Sequence, residues 1–246
     1  MGRLEGKIAI VTGAAAGFGE GIAQHFIEEG AKVFVCDINV ELGEKVASTS
    51  DKLFFQKLNV TDKAGWDRAI DQVISKFGRL DILVNNAGTS YLNKAMTEAE
   101  FDKVMSVNVK SVFLGTQAFA VQAKKNGTGG AIINIASVGA HRPRPGLVWY
   151  NASKAAIANA TMGLAAEYGP DGIRVNSICP LATMTSLLPT FIGKEITPEV
   201  QKALSNVPLQ RMGEIRDVTK AAVFLASEDA SFITGVNLDV DGGRAI

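Results

Sequence analysis

The sequence predicts an α/β fold, a doubly wound parallel sheet of seven strands in a single domain spanning all 246 residues. Three observations carry this. Short β-rich runs alternate with longer stretches of helical periodicity, the pattern of repeated right-handed βαβ units. Most of the β-rich runs are continuously apolar, as strands buried on both faces of a parallel sheet must be. A glycine-rich turn, TGAAAGFG, stands between the first such run and the first helix. No repeat, low-complexity tract or Pro/Gly/Ser linker divides the chain.

The elements follow in order. KIAIVT (7–12) is the first strand, followed by a helix over 17–29. KVFVC (32–36) leads to a helix over 39–48, and LFFQKL (53–58) to one over 62–77. Asp62 in NVTDKAGW supplies the N-terminal signal of that third helix. DILV (81–84) precedes a long helix over 98–125, and AIINIAS (131–137) one over 149–168. RVNSIC (174–179), a helix over 214–227 and GVNLDV (235–240) close the series. One segment breaks the rhythm. After Pro180 the expected short loop runs on to Met212 and contains LLPTFIGKEITPEV. Insertions after a strand's carboxyl end are where such sheets build substrate pockets. Residues from approximately 183 to 212 are therefore expected to form a small helical lid.

Composition narrows the partners. The chain is 47% hydrophobic and 20% charged, with 25 basic and 25 acidic residues. A net charge of zero argues against nucleic acid or an anionic membrane surface as the main partner. No apolar run is expected to reach the roughly 18 residues that span a bilayer. The start, MGRLEGKIAIVTG, has no secretory apolar core, and Gly6 stands where a myristoylation motif has Ser or Thr. Cys36 and Cys179 both end apolar runs and read as buried free thiols. These two cysteines and the two histidines, His25 and His141, make no metal-ligand spacing. The expectation is a cytoplasmic protein without a structural metal.

Chemistry enters at Tyr150 and Lys154, four residues apart in WYNASKAA. On a helix, residues i and i+4 share a face. A phenol with a pKa near 10 is a poor base at neutral pH. A cation within about 4–6 Å lowers such a pKa by about 1–3 units, so Lys154 is expected to make Tyr150 a usable acid/base. Ser137, thirteen residues before Tyr150, ends a strand and is placed to hold a substrate oxygen. A lone YxxxK is usually a solvated helix face; its surroundings give it weight. Gly13, Gly17 and Gly19 let the backbone turn tightly and approach a pyrophosphate, with the following helix start offering N–H groups to it. Asp37 ends the second strand about twenty residues on, where a carboxylate accepts bonds from the adenosine ribose hydroxyls. It would repel a 2′-phosphate by about 4 kcal/mol at 4 Å and an effective dielectric near 20. Its neighbours Ala16, Ile38 and Asn39 supply no cation, which predicts NAD(H) over NADP(H).

TGAAAGFG, NNAG (85–88), Asn108 in MSVNVKS, Ser137 and YNASK together resemble the short-chain dehydrogenase/reductase family. The resemblance runs from about residue 4 to the closing ITGVNLDVDGG. It implies a Rossmann-type sheet of order 3-2-1-4-5-6-7 and hydride transfer between nicotinamide and an alcohol or carbonyl carbon. It also implies roles: Tyr150 exchanges the hydroxyl proton, Ser137 bonds the substrate oxygen, and Lys154 binds the nicotinamide ribose. Asn108 would hold a water in a proton relay toward Lys154. The cofactor would meet Gly13, Ala15, Ala16, Gly17, Phe18 and Gly19 at the turn, then Asp37, Ile38, Asn59 and Val60 around the adenosine. Asn86, Ala87, Gly88, Pro180, Thr183 and Thr185 would line the rest of its path. Two positions depart from the family pattern. Asn59 stands where Asp is frequent, and Leu181 follows Pro180 where glycine is usual.

Trp149, Leu147 and the lid residues Met184, Leu187, Leu188, Phe191 and Ile192 are candidates for an apolar substrate pocket. The substrate contacts expected are Ser137, Tyr150, Arg144, Trp149 and Leu187. His141, Arg142 and Arg144 either greet an anionic group at the rim or are solvated or bridge subunits. The stretches RPRPGLVWYNASK and DVDGGRAI are similar to family members acting on aromatic alcohols, sulfonated ones included. The small residues of NASKAAIANATMGLAAEY permit close helix approach, and the resemblance implies a homotetramer with 222 symmetry. Three functions remain in view. The first is an NAD-dependent dehydrogenase of a small, partly apolar alcohol or ketone, of aromatic or anionic character. The second is a 3-oxoacyl-[acyl-carrier-protein] reductase or a sugar or polyol dehydrogenase. The third is a non-catalytic dinucleotide-binding regulator.

Overall fold

The computed structural model describes residues 2–92, 95–183, 188, 193 and 197–246, without the side chains of 201, 203 and 204. Seven strands, β1 (Ile8–Thr12), β2 (Lys32–Asp37), β3 (Leu53–Lys57), β4 (Ile82–Asn85), β5 (Gly130–Ile135), β6 (Ile173–Pro180) and β7 (Asn237–Val240), form one parallel sheet. Their order is β3-β2-β1-β4-β5-β6-β7, as the family resemblance implies. The helices are α1 (Gly17–Glu28), α2 (Val40–Ala47), α3 (Lys63–Phe77), α4 (Glu98–Met105), α5 (Ser111–Asn126), α6 (Val148–Tyr168), α7 (Pro198–Leu204) and α8 (Ile215–Ala226).

The continuously apolar strands are explained by two cores, one on each face. In β1, Ala9 and Val11 pack with Ile22 and Phe26 of α1 and Val218 and Ala222 of α8. Ile8 and Ile10 point the other way, onto Trp66 and Ile70 of α3 and Phe119 of α5. Close packing of α1 on α8 depends on Gly21, where a Cβ would lie 2.3 Å from Ile215 Cγ2. Asp62 caps α3 as the sequence predicts, its carboxylate accepting from the N–H groups of Ala64 and Gly65 at 3.0 Å. Both cysteines are buried and free.

A polar ladder registers α6 on the sheet. Asn85 Nδ2 donates to Asn134 Oδ1 at 2.9 Å, and Asn134 Nδ2 donates to Thr161 Oγ1 at 2.9 Å. All three are buried, so losing one partner strands another without water. The ladder joins β4, β5 and the middle of α6, and thereby sets the height of Tyr150 and Lys154 above the strand ends.

Two features differ from the sequence expectations. The helix expected over 98–125 is interrupted by a π-helical turn, Ser106–Lys110, closed by a bond from the Ser111 N–H to the Ser106 carbonyl. A π turn displaces the following residues by one position, which apolar periodicity does not reveal. The helical segment Glu98–Asn126 is also long and apolar enough to cross a membrane, contrary to expectation, but half of it is buried inside the protein. The expected lid includes α7, while Met184, Thr185, Leu187, Phe191 and Ile192 lie outside the described residues.

Candidate active site

The strand order reverses between β1 and β4, so their carboxyl ends diverge and open a crevice. A cleft of about 950 Å³ occupies it, within the range of small-molecule and cofactor sites.

At one end lies the glycine turn. Gly13 and Gly17 have φ of +62° and +63°, conformations that disfavour any side chain. Gly19 is closed in: a Cβ there would lie 2.2 Å from the Gly13 carbonyl oxygen. Helix α1 begins after Ala16 with no side-chain cap. Its first-turn N–H groups and positive dipole end therefore face the cleft, where Ala16, Gly17 and Phe18 line the wall. Asp37 projects at the end of β2, its carboxylate steadied by the N–H groups of Ala15 at 3.1 Å and Asn39 at 2.9 Å. Ile38, Asn59 and Val60 line the same end. Asn59 Oδ1 accepts from the Thr61 N–H at 3.1 Å and its hydroxyl at 2.9 Å. An uncapped helix start beside positive-φ glycines, with a carboxylate at the next strand's end, fits a nicotinamide dinucleotide.

The loop after β4 is bonded across to the glycine turn. Thr12 Oγ1 donates to the Val84 carbonyl and accepts from the N–H groups of Asn86 and Ala87 at 3.0 and 3.1 Å. Asn86 Nδ2 donates back to the Thr12 and Gly13 carbonyls. Asn86, Ala87 and Gly88 line the cleft. Gly88 stands between Asn108 and Lys154, a Cβ there lying 3.5 Å from Asn108 Oδ1 and 3.6 Å from Lys154 Nζ.

At the other end Ser137, Tyr150 and Lys154 come together on the cleft wall. Ser137 hydrogen-bonds to the Tyr150 phenol and accepts from the Gly139 N–H at 3.0 Å. Lys154 Nζ donates to the Ile135 carbonyl at 2.6 Å and lies 5.8 Å from the Tyr150 ring centroid. Burial pushes the phenol pKa up to about 12, with the Ser137 bond acting against it. Burial likewise pushes Lys154 down to about 8. This corrects the expectation that Lys154 lowers the phenol pKa. In the protein alone burial sets the phenol's shift, and the group that opposes it is Ser137 rather than Lys154. Asn108 sits on the π turn, 1% exposed and behind the cleft wall. Its Oδ1 accepts from the Thr89 N–H at 2.8 Å, and its Nδ2 donates to the Thr89 carbonyl and Ser153 Oγ. Its side chain thus pins the β4 loop to α6.

Other candidates fall elsewhere. Ala15 does not line the cleft but supports Asp37 through its N–H. Trp149 is 47% exposed and meets Phe101 edge-on at 5.1 Å, away from the cleft. One residue before Tyr150 on a helix is about 100° around its axis, and Trp149 turns to Phe101, while Asn151 on the other side of Tyr150 lines the cleft. Leu147, Arg142 and Arg144 do line it. Pro180 and Thr183 also line it, as does Leu181, whose N–H donates to the Val240 carbonyl at 3.2 Å. Leu188 is fully buried, and Leu187 and Thr185 lie outside the described residues. His141 pairs with Asp239 at 3.2 Å. Their side chains and the Cys179 Sγ lie within 4.8 Å of one another, a juxtaposition that sequence spacing does not reveal. Burial raises the Cys179 thiol to about 11, so it remains protonated there. Thr12, Asn134 and Arg244 escaped the sequence reading. The first two are polar interruptions of apolar strand runs, which is the signal they carry.

A sheet reversal with an uncapped helix start, a β2 carboxylate and a Ser-Tyr-Lys group in one cleft defines a nicotinamide-dependent oxidoreductase. The chain belongs to the short-chain dehydrogenase/reductase family. A family profile described as enoyl-(acyl carrier protein) reductase matches residues 13–245. The chain is 43% identical over 251 residues to 4-formylbenzenesulfonate dehydrogenase of Comamonas testosteroni, covering 99% of each. It is 39% identical to 7alpha-hydroxysteroid dehydrogenase of Escherichia coli K12, over 98% of this chain and 95% of that one. Among solved structures it resembles a 3-ketoacyl-(acyl-carrier-protein) reductase from Brucella melitensis complexed with NADH. That match has a TM-score of 0.92 and 42% identity, covering 99% of this chain and 100% of the other.

Proposed function

We propose that this protein is an NAD(H)-dependent dehydrogenase that interconverts small, partly apolar alcohols and their carbonyl counterparts, aromatic ones foremost. One observation carries the reading: the Asp37 carboxylate beside the glycine turn and the Ser137–Tyr150–Lys154 group line a single cleft. NAD, when bound, supplies the carbon that accepts hydride. The protein's own residues do the rest. The Ser137 hydroxyl holds the substrate oxygen against the phenol. Tyr150 takes the hydroxyl proton during oxidation and returns it during reduction. Lys154 holds the ribose and, while charged, favours the phenolate; bound cationic nicotinamide adds to that field and offsets the burial that raises the phenol. Asn108 keeps the loop carrying Gly88 in place beside them.

The relatives named for an aromatic aldehyde and for a hydroxysteroid favour aromatic and polycyclic substrates, and the relative complexed with NADH supports the cofactor choice. The same solved relative, named as a ketoacyl reductase, keeps thioester reduction as the second reading. A homotetramer fits the large apolar side chains left on the outer faces of α5 and α6, namely Phe113, Val121, Val148 and Met162. Sedimentation should give a mass of four subunits; one or two would sink that assignment.

The test is NADH formation from NAD and a panel of benzylic alcohols and 3-hydroxyacyl thioesters. Benzylic alcohols should be the better substrates. The sign of the pH dependence follows from Tyr150. Oxidation needs the unprotonated phenol, whose pKa in the protein alone is about 12. Thus kcat/KM for oxidation should rise with pH, and that for carbonyl reduction should fall once the working pKa is passed. A flat oxidation profile from about pH 6 to 10 would remove Tyr150 as the base.

A further inference from the structure

Cations outnumber carboxylates along the cleft. Its walls carry Lys103, Arg142, Arg144, Lys154 and Arg244, against Asp102 and Asp37. Arg244 comes from the segment after β7, far along the chain from the loop that carries Arg142 and Arg144. The two are fastened together. Arg142 Nη1 donates to the Arg244 carbonyl and to the Ile246 carbonyl at 3.1 Å. Asp241 takes the N–H groups of Gly243 at 2.8 Å and Ala245 at 2.6 Å. The Leu209 N–H donates to the Gly242 carbonyl at 3.1 Å. His141 and Asp239 pair at 3.2 Å at the same junction.

These bonds also dispose of the local carboxylates. Asp239 faces His141, and Asp241 is occupied by backbone N–H groups, so neither is turned toward the guanidinium of Arg244 by any of these contacts. Burial lowers the Arg144 pKa from the ordinary guanidinium value. A partly desolvated guanidinium gains more from an anion than one in open water.

We infer that Arg244, held by Arg142 and facing the same cleft as Arg144, forms an anion subsite that selects substrates bearing a carboxylate or sulfonate away from the reacting carbon. Arg244 and Arg144 are the binding groups; Arg142 is a positioning residue acting through the backbone of the closing segment. The inference rests on the proposed oxidoreductase reading for what reacts, but the subsite itself is defined by the cations.

The experiment uses the NADH complex of the full chain. It is titrated calorimetrically with 4-(hydroxymethyl)benzoate and with 1,4-benzenedimethanol, which differ by one negative charge at the far end of the ring. The anion should bind about tenfold more tightly, and salt should erode the difference. Arg244→Gln should bring the two affinities together, and Arg244→Glu should reverse the order. Arg142→Gln should raise KM for the anion with little change in kcat, and Arg142→Lys should restore part of the loss. An anion preference that survives Arg244→Gln and Arg144→Gln would overturn the subsite. So would a loss confined to NADH affinity, which would assign the cations to the cofactor. Turnover of both alcohols with NAD is recorded in parallel. Preference without turnover leaves the subsite standing and overturns the benzylic-alcohol reading; turnover without preference does the opposite.

Discussion

Replacing Tyr150 with phenylalanine should lower kcat by about 10²–10⁴-fold, the usual contribution of a positioned proton-transfer group. NADH affinity should stay within about twofold of wild type. The variant isolates one atom. Tyr150 is 9% exposed, and its ring packs in place with or without the hydroxyl. The lost bond is the one to Ser137, and a net hydrogen bond is worth about 0.5–1.5 kcal/mol. Against that stands the burial that already pushes the phenol pKa to about 12. The melting temperature should therefore move by only a few degrees. Single-turnover kinetics at saturating NAD would separate the chemical step from binding. Turnover retained at more than a tenth of wild type would mean that another group moves the proton, and the mechanism proposed from Ser137, Tyr150 and Lys154 would fall.

How far the sequence foresaw this site depends on the kind of feature. Positions fixed by strand and helix period were legible: the continuously apolar strands, Asp62 as a cap, Asp37 at a strand end, and Tyr150 with Lys154 on one helix face. Positions fixed by three-dimensional closure were not. The π turn at Asn108 leaves no periodic trace because it shifts the pattern by one residue. Trp149 turns away from the cleft to meet Phe101, a partner from another helix that proximity to Tyr150 in sequence does not disclose. The rise of the phenol pKa reflects the depth of burial behind the cleft wall, which neighbouring residue types do not disclose. Arg244 reaches the cleft only because Arg142 and Asp241 hold the closing segment there, a contact spanning a hundred residues.

The choice of cofactor turns on Asp37 and can be separated from the chemistry at the other end of the cleft. Wild-type protein should bind NADH far more tightly than NADPH in a fluorescence titration. A 2′-phosphate beside this carboxylate meets a repulsion of about 4 kcal/mol at 4 Å and an effective dielectric near 20. Asp37 stands at a partly open lip, so solvent screening reduces the discrimination to about one or two powers of ten. Asp37→Asn removes the charge and keeps an oxygen for only one of the two N–H groups that steady it, because Ala15 and Asn39 bond different carboxylate oxygens. It should weaken NADH by a few-fold through loss of charge-assisted bonds to the ribose, and tighten NADPH by about tenfold. Removing repulsion does not create attraction, because Ala16, Ile38 and Asn59, which line the cleft beside it, carry no cation. Adding Ile38→Arg supplies one at a position 64% exposed, with room to turn toward a phosphate, and the pair should prefer NADPH. If wild type instead binds NADPH as tightly as NADH, Asp37 does not select the ribose, and thioester reduction with NADPH becomes the better account of the same cleft.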